Sequence, residues 1–226
     1  CGRYTLLPEA HTWIAAFGLP AGAAQQISAL SANYNVAPTQ VVPIVRNRRA
    51  STLRELALVR WGLIPAWAKE ARFGYHTINA RAESVAEKPS FRAAYRKRRC
   101  IVPASGFYEW QHGAAAKQPY LIQMRNRLPM GFAGLWESWR DPHDGSIVQS
   151  CTIIVTAANE YMQPLHERMP VILAAGDYAH WLDPDAADGA SLLRPCPGDW
   201  LSCHAVSTYV NNPRHNDRRC IEAVAV

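Results

Sequence analysis

Apolar and polar positions along this 226-residue chain change period repeatedly, and each change predicts an element. From Pro8, the residues Trp13, Ile14 and Phe17 recur at the three- and four-residue spacing of one helix face, and Gly18-Leu19-Pro20 ends the run. A weaker helical pattern covers Ala21 to Leu30. Tyr34-Asn35-Val36-Ala37-Pro38 reads as a loop, because proline disfavours helical backbone at the residue before it. Strand-like stretches then dominate: Val41 to Val45, Leu53 to Leu63, Cys100 to Pro103, Gly106 to Trp110, Pro119 to Met124, Met130 to Trp136, Ile147 to Thr156, Val171 to Leu173 and Leu201 to Val206. The strands ending at Pro103 and starting at Gly106 are read as neighbours joined by Ala104-Ser105. Ile64-Pro65-Ala66-Trp67 leaves the sheet, Ile78 to Glu83 reads as an irregular polar stretch, and Ser90 to Arg98 and Gly176 to Leu182 read as helices. Residues 183–199 are the most loop-like insertion.

Strands outnumber helices without regular βαβ alternation. That predicts an α+β fold with a mostly antiparallel, barrel-like β-sheet core and peripheral helices. No repeat, linker or low-complexity stretch interrupts the pattern, so residues 1–226 are expected to form a single domain. An apolar content of 49% suffices for a core and excludes wholesale disorder. No apolar run reaches transmembrane length, and the first residues lack a signal-peptide core, so a cytoplasmic monomer without membrane contact is expected.

Charge changes the picture modestly: 24 Lys and Arg against 18 Asp and Glu leave +6, mildly favourable for a polyanion. Six cysteines default to free thiols in an intracellular chain. No CxxC pair occurs, Cys196 and Cys203 stand too far apart for a zinc knuckle, and His76, His112, His143, His180, His204 and His215 are scattered. Neither a metal nor, in the absence of a phosphate-binding glycine loop, a nucleotide cofactor is expected.

Cys1 is the most informative residue. A cysteine in first position offers an α-amine and a thiol on adjacent carbons, with ordinary pKa values of about 7.7–8.0 and about 8.5. With an aldehyde, the amine forms a Schiff base and the thiolate closes onto it as a five-membered thiazolidine. The plain alternative is an incidental small residue behind an unlisted initiator Met. Other candidates also carry two readings. Glu109 is a surface carboxylate on an alternating strand, or a proton carrier set among Phe107, Tyr108 and Trp110. His166 is a loop histidine or an acid/base near neutral pH. Trp67 is a core residue or a stacking platform, whereas Trp61, Trp110 and Trp136 are read as core. The runs Arg46-Asn47-Arg48-Arg49 and Arg96-Lys97-Arg98-Arg99 are solvated faces or extensions of a phosphate track.

Seven motifs stand in one order: Cys1-Gly2-Arg3, Tyr34-Asn35-Val36-Ala37-Pro38, Trp61-Gly62-Leu63-Ile64-Pro65 with Trp67, Asn79-Ala80-Arg81-Ala82-Glu83, Arg99-Cys100 with Pro103, Gly106-Phe107-Tyr108-Glu109-Trp110, and His166-Glu167-Arg168-Met169-Pro170. Together they resemble the SRAP (SOS-response-associated peptidase) family of abasic-site processing proteins, from Cys1 to about Ser207. The resemblance implies that Cys1 traps the opened sugar of an abasic site in single-stranded DNA as a thiazolidine. It implies that Asn79 sits beside Cys1, that Glu109 is the acid/base of the imine chemistry, and that His166 helps open the deoxyribose. Arg3, Arg81 and Arg168 match positions that hold the DNA backbone, Asn35 and Pro38 match a loop near the DNA junction, and Trp67 matches an aromatic that stacks on bases. The family often carries a second aromatic there; Ala68 in its place implies a smaller platform. Lyase and autoproteolytic activity are compatible with the same residues. Two other readings stand beside this one: an N-terminal-nucleophile cysteine amidohydrolase or autoprocessing peptidase, with the α-amine as base, and a non-covalent single-stranded DNA binder in which Cys1 plays no part.

Overall fold

The computed structural model describes residues 1–225 except 49–50, 112–116 and 187–188. Its strands are β1 Tyr4–Leu6, β2 Asn33–Val36, β3 Val41–Asn47, β4 Arg54–Trp61, β5 Asn79–Arg81, β6 Arg99–Ala104, β7 Gly106–Gln111, β8 Gln118–Met124, β9 Met130–Arg140, β10 Ile147–Ala157, β11 Arg168–Pro170, β12 Ile172–Leu173 and β13 Leu201–Ala205. The helices are short: α1 Ala10–Phe17, α2 Ala24–Ser28, α3 Arg92–Lys97 and α4 Tyr178–Leu182. The fold is α+β, mostly sheet. Among the described residues no helix is long and apolar enough to cross a membrane.

Pairing runs β10 to β4 to β3 to β6 to β9 and back to β10, so five strands close on themselves and leave no open edge along that ring. Most of these pairs are antiparallel; β10 with β4 is parallel. A second, five-stranded sheet in the order β13, β8, β7, β1, β2 packs onto the barrel. Tyr4 of β1 meets Trp61 and Phe132 edge-on at 5.3 and 6.2 Å, and Phe107 of β7 meets Phe132 at 6.0 Å. These rings are fully buried, and at roughly 1.5–3 kcal/mol for each large apolar side chain removed from water they anchor one sheet to the other.

Several elements depart from the pattern reading. Asn33–Val36 is a strand paired with β1, not a loop. The preference that Pro38 imposes on its neighbours is for extended backbone, which a strand satisfies as well as a loop does; only residues 38 and 39 turn, with Thr39 at φ 76°. Asn79–Arg81 is likewise ordered, as a parallel strand on β10 with Ile153 opposite Asn79 and Val155 opposite Arg81. One buried residue, Ala80, between two polar ones is too short a pattern to register as a strand. β6 and β7 are consecutive but lie in different sheets. Arg168–Pro170 adds a strand antiparallel to β10 that the reading omitted. Trp61 is core as expected, whereas Trp110 and Trp136 are only partly covered.

Two glycines let β5 reach its place. Gly62 has φ 120°, and a Cβ there would stand 2.5 Å from the carbonyl oxygen of Gly74; a Cβ on Gly74 would meet the carbonyl oxygen of Gly62 at 2.6 Å. This backbone-to-backbone approach brings Thr77 against Leu63, where their main chains bond at 3.3 Å and the Thr77 hydroxyl donates to the Leu63 carbonyl at 2.5 Å. The chain then enters β5 in register with β10. Gly62→Ala is expected to destabilise the protein by more than about 1 kcal/mol in denaturant unfolding. Gly22→Ala, whose added carbon meets nothing within 4 Å, is expected to be neutral or stabilising. Equal stability of the two variants would show that the Gly62–Gly74 approach is dispensable.

Candidate active site

The site starts from strand register. β1 and β7 run antiparallel with Tyr4 opposite Phe107 and Thr5 opposite Gly106, so counting back puts Gly2 opposite Glu109 and Cys1 one position beyond it. The terminal nitrogen of Cys1 lies 3.0 Å from Glu109 Oε1. That carboxylate oxygen takes no hydrogen bond from another described group, so the terminal ammonium is its partner. Both residues are buried, Cys1 at 8% exposure and Glu109 at 5%. The surface reading of Glu109 therefore does not apply. Alternation fails along β7 because both faces are covered: Tyr108 packs with Val206, Val210 and Cys220, and Glu109 lies against the first residue.

From the barrel side, β5 brings Asn79, whose Nδ2 donates to the Cys1 carbonyl at 2.8 Å. Its Oδ1 is buried with no described partner. The Cys1 thiol faces the Arg3 carbonyl at 3.9 Å. Cys100 and Cys151 lie in the core, where burial pushes their thiols up, and burial likewise pushes Cys196 up to about 12; such thiols stay protonated and inert near neutral pH.

β11 and the residues just before it supply the next two candidates. His166 Nδ1 sits 3.0 Å from the Arg168 amide nitrogen and 3.1 Å from its carbonyl oxygen, so the backbone sets the ring. Arg168 donates to Glu83 at 2.5 Å, which ties the motif containing His166 to the one containing Asn79. Burial pushes the Glu83 carboxyl up, but its own backbone amide and the Arg168 and Arg81 guanidiniums outweigh this and hold it below its ordinary value. Arg81 is exposed. A cavity of about 440 Å³ brings Glu109 and His166 together, lined by Arg3, Glu109, Trp110, Lys117, His166 and Asn211.

Arg3 and Asn35 form a clamp. Arg3 Nη1 donates to Asn35 Oδ1 at 2.7 Å and to the Val210 carbonyl at 3.1 Å, and the guanidinium lies 5.9 Å from the Trp110 ring centroid. Asn35, at 1% exposure, donates through Nδ2 to the carbonyls of Val210, Asn212 and His215 at 2.9–3.1 Å. Its side chain is thus spent on residues 210–215, and Pro38 opens the turn that follows β2. Trp67 is 56% exposed, edge-on to Phe73 at 5.1 Å. Ala68 is buried, its carbonyl accepting from Trp139 Nε1 at 2.7 Å, while Tyr75 is exposed with Arg60 5.5 Å from its ring. Phe73 and Tyr75 restore the aromatic surface that Ala68 lacks.

The basic runs brace the barrel instead of continuing the site. Arg46 bonds Glu55 and Gln149 and covers Trp136, Arg98 pairs with Glu137, and Arg99 bonds backbone carbonyls beneath Tyr95 and Trp181. Arg49 and His112 lie outside the described residues. Sequence reasoning missed Lys117 and Asn211. No motif carries either, and Asn211 lies past the stretch of motif resemblance.

Comparison with known proteins places the chain among relatives. The family profile described as SOS response associated peptidase (SRAP) matches residues 1–213. The chain is 41% identical over 231 aligned positions to "Abasic site processing protein YoqW" of Bacillus subtilis, covering 99% of each. It is 33% identical to "Abasic site processing protein HMCES" of Xenopus tropicalis, covering 85% of this chain and 66% of that one. A crystal structure of a Bacteroides thetaiotaomicron protein superposes with a TM-score of 0.88 at 29% identity, covering 100% of both chains.

The clamp yields a test. Asn35→Ala leaves three backbone carbonyls and the Arg3 guanidinium short of a partner, at an expected cost of about 1–3 kcal/mol. Amide exchange is expected to quicken across residues 210–215 while β6 and β9 stay protected. Unchanged exchange across 210–215 would show that the segment is held by other means.

Proposed function

Because the chain belongs to the SOS response associated peptidase (SRAP) family, we propose that it processes abasic sites in single-stranded DNA through a covalent adduct at Cys1. The observation that carries this reading is the 3.0 Å approach of the Cys1 nitrogen to the buried Glu109 carboxylate.

An ammonium cannot attack a carbonyl; it must first lose a proton, and Glu109 is the base in contact with it. The resulting amine adds to the aldehyde of a ring-opened abasic sugar, and loss of water gives a Schiff base. The Cys1 sulfur then adds to the imine carbon while the nitrogen takes up the thiol proton, closing the thiazolidine. The balance is protein plus DNA minus one water. Glu109, having accepted a proton, can return it to the departing hydroxyl. Asn79 holds the Cys1 carbonyl and so sets the rotation of the nucleophile. His166 shares the cavity with Glu109 and is placed to move a proton to or from the sugar ring oxygen as the ring opens.

The DNA-holding groups surround that chemistry. Arg81 and Arg168 suit backbone phosphates, because a guanidinium keeps its charge and grips two oxygens at once; Arg168 would exchange Glu83 for phosphate. Exposed Trp67, with Phe73 and Tyr75, offers a sequence-tolerant stacking surface worth about 1–3 kcal/mol per base. Arg3, Asn35 and Pro38 serve by shaping the wall beside Cys1.

Intact mass spectrometry after mixing with abasic single-stranded DNA is expected to show the sum of the two masses less one water. Cys1→Ala, Cys1→Ser and a form carrying one extra residue before Cys1 cannot close the ring, so no such species is expected to survive denaturation and acid, which hydrolyse an open imine. Glu109→Gln should slow adduct formation by roughly 10²–10⁴-fold. A stable adduct on the protein with a blocked Cys1 amine would defeat the thiazolidine, and salt-sensitive binding without any adduct would leave a non-covalent binder.

A further inference from the structure

The cavity beside Cys1 contains a donor group with no assigned task. Trp110 Nε1 donates to Asn211 Oδ1 at 2.7 Å. An indole N–H can only donate, so this bond fixes the amide orientation: oxygen toward Trp110, and the NH₂ group left without a described partner in the cavity lining. The backbone carrying Asn211 is held on both sides. Arg3 donates to the carbonyls of Val210 and Asn211 at 3.1 and 3.4 Å, and Asn35 donates to those of Val210 and Asn212 at 3.1 and 3.0 Å. An exposed side chain is seldom so firmly oriented.

The rest of the lining tells which ligand suits that donor. Lys117 adds an exposed ammonium, and the one carboxylate of the lining, Glu109, already faces the terminal nitrogen. The uncommitted groups are therefore donors, and the acceptor that matches them is anionic oxygen. We infer that Asn211 and Lys117 bind a backbone phosphate of the nucleotide adjoining the abasic sugar. Asn211 supplies a rigid, uncharged hydrogen bond, and Lys117 supplies charge. Such contacts carry no sequence information but set where the sugar stops relative to Cys1. This inference rests on the proposed reading of the site, and it concerns binding, not the covalent step.

The test uses the full chain in a Cys1→Ser background, with fluorescence anisotropy on single-stranded DNA carrying a tetrahydrofuran abasic analogue, which lacks the aldehyde, so binding is measured without Schiff base or crosslink. Asn211→Ala is expected to weaken binding about tenfold. Asn211→Asp keeps the acceptor for Trp110 but turns a carboxylate toward the phosphate. It should bind more weakly than Asn211→Ala, and the loss should exceed that in Asn212→Asp, which calibrates a nearby negative charge. Lys117→Ala should flatten the salt dependence by about 0.7 in log–log slope, the value for one phosphate contact on a single strand. Asn211→Asp binding as well as or better than Asn211→Ala, or Asn211→Ala binding like its parent, would overturn the inference and leave Asn211 as a prop for Trp110. Absence of an adduct in the Cys1-containing protein would count against the covalent reading alone.

Discussion

The site depends on a buried ion pair between the first nitrogen of the chain and Glu109. A charge taken out of water without a partner is costly by several kcal/mol, and two such charges are tolerated only when each satisfies the other in good geometry. Neither group is tenable alone at its depth. The pairing therefore fixes where residue 1 can sit, and with it the thiol and the carbonyl that Asn79 holds. It also suits the proposed chemistry, in which the group that neutralises the ammonium is the group that deprotonates it.

Two sheets had to meet to make this contact. Glu109 lies on β7 of the open sheet and Cys1 just precedes β1, its neighbour there, whereas Asn79 and Arg168 lie on strands fastened to β10 of the barrel and His166 just precedes one of them. The aromatic seam of Tyr4, Trp61, Phe107 and Phe132 holds those layers at a set spacing. Placing the proposed reactive groups on opposite layers lets a rigid core define their separation, which positions them better than flexible loops would.

Much of this was legible in the residues. The long apolar strands β9 and β10 and the helix opening near Pro8 followed from periodicity, although the observed helix begins at Ala10, where the Glu9 carboxylate caps it. The short elements that build the site did not. β2, β5 and β11 each span three or four residues, too few for a period to show, and their order comes from pairing with distant strands. Ordered motifs marked Cys1, Asn79, Glu109 and His166 as a set. They gave no warning that Asn35 is buried and fully bonded, because an asparagine clamping three carbonyls looks in sequence like any loop asparagine. Lys117 and Asn211 lacked even a motif; only folding brings residue 211 beside residue 3.

That last contact has a consequence for folding. Arg3 and Asn35 are held by carbonyls of residues 210–215, which lie 175 to 208 positions away along the chain. The stretch between them closes a very long loop, and its entropy is lost before the bonds at its ends compensate. The wall beside Cys1 is therefore completed by long-range docking of residues 210–215, not by any local turn.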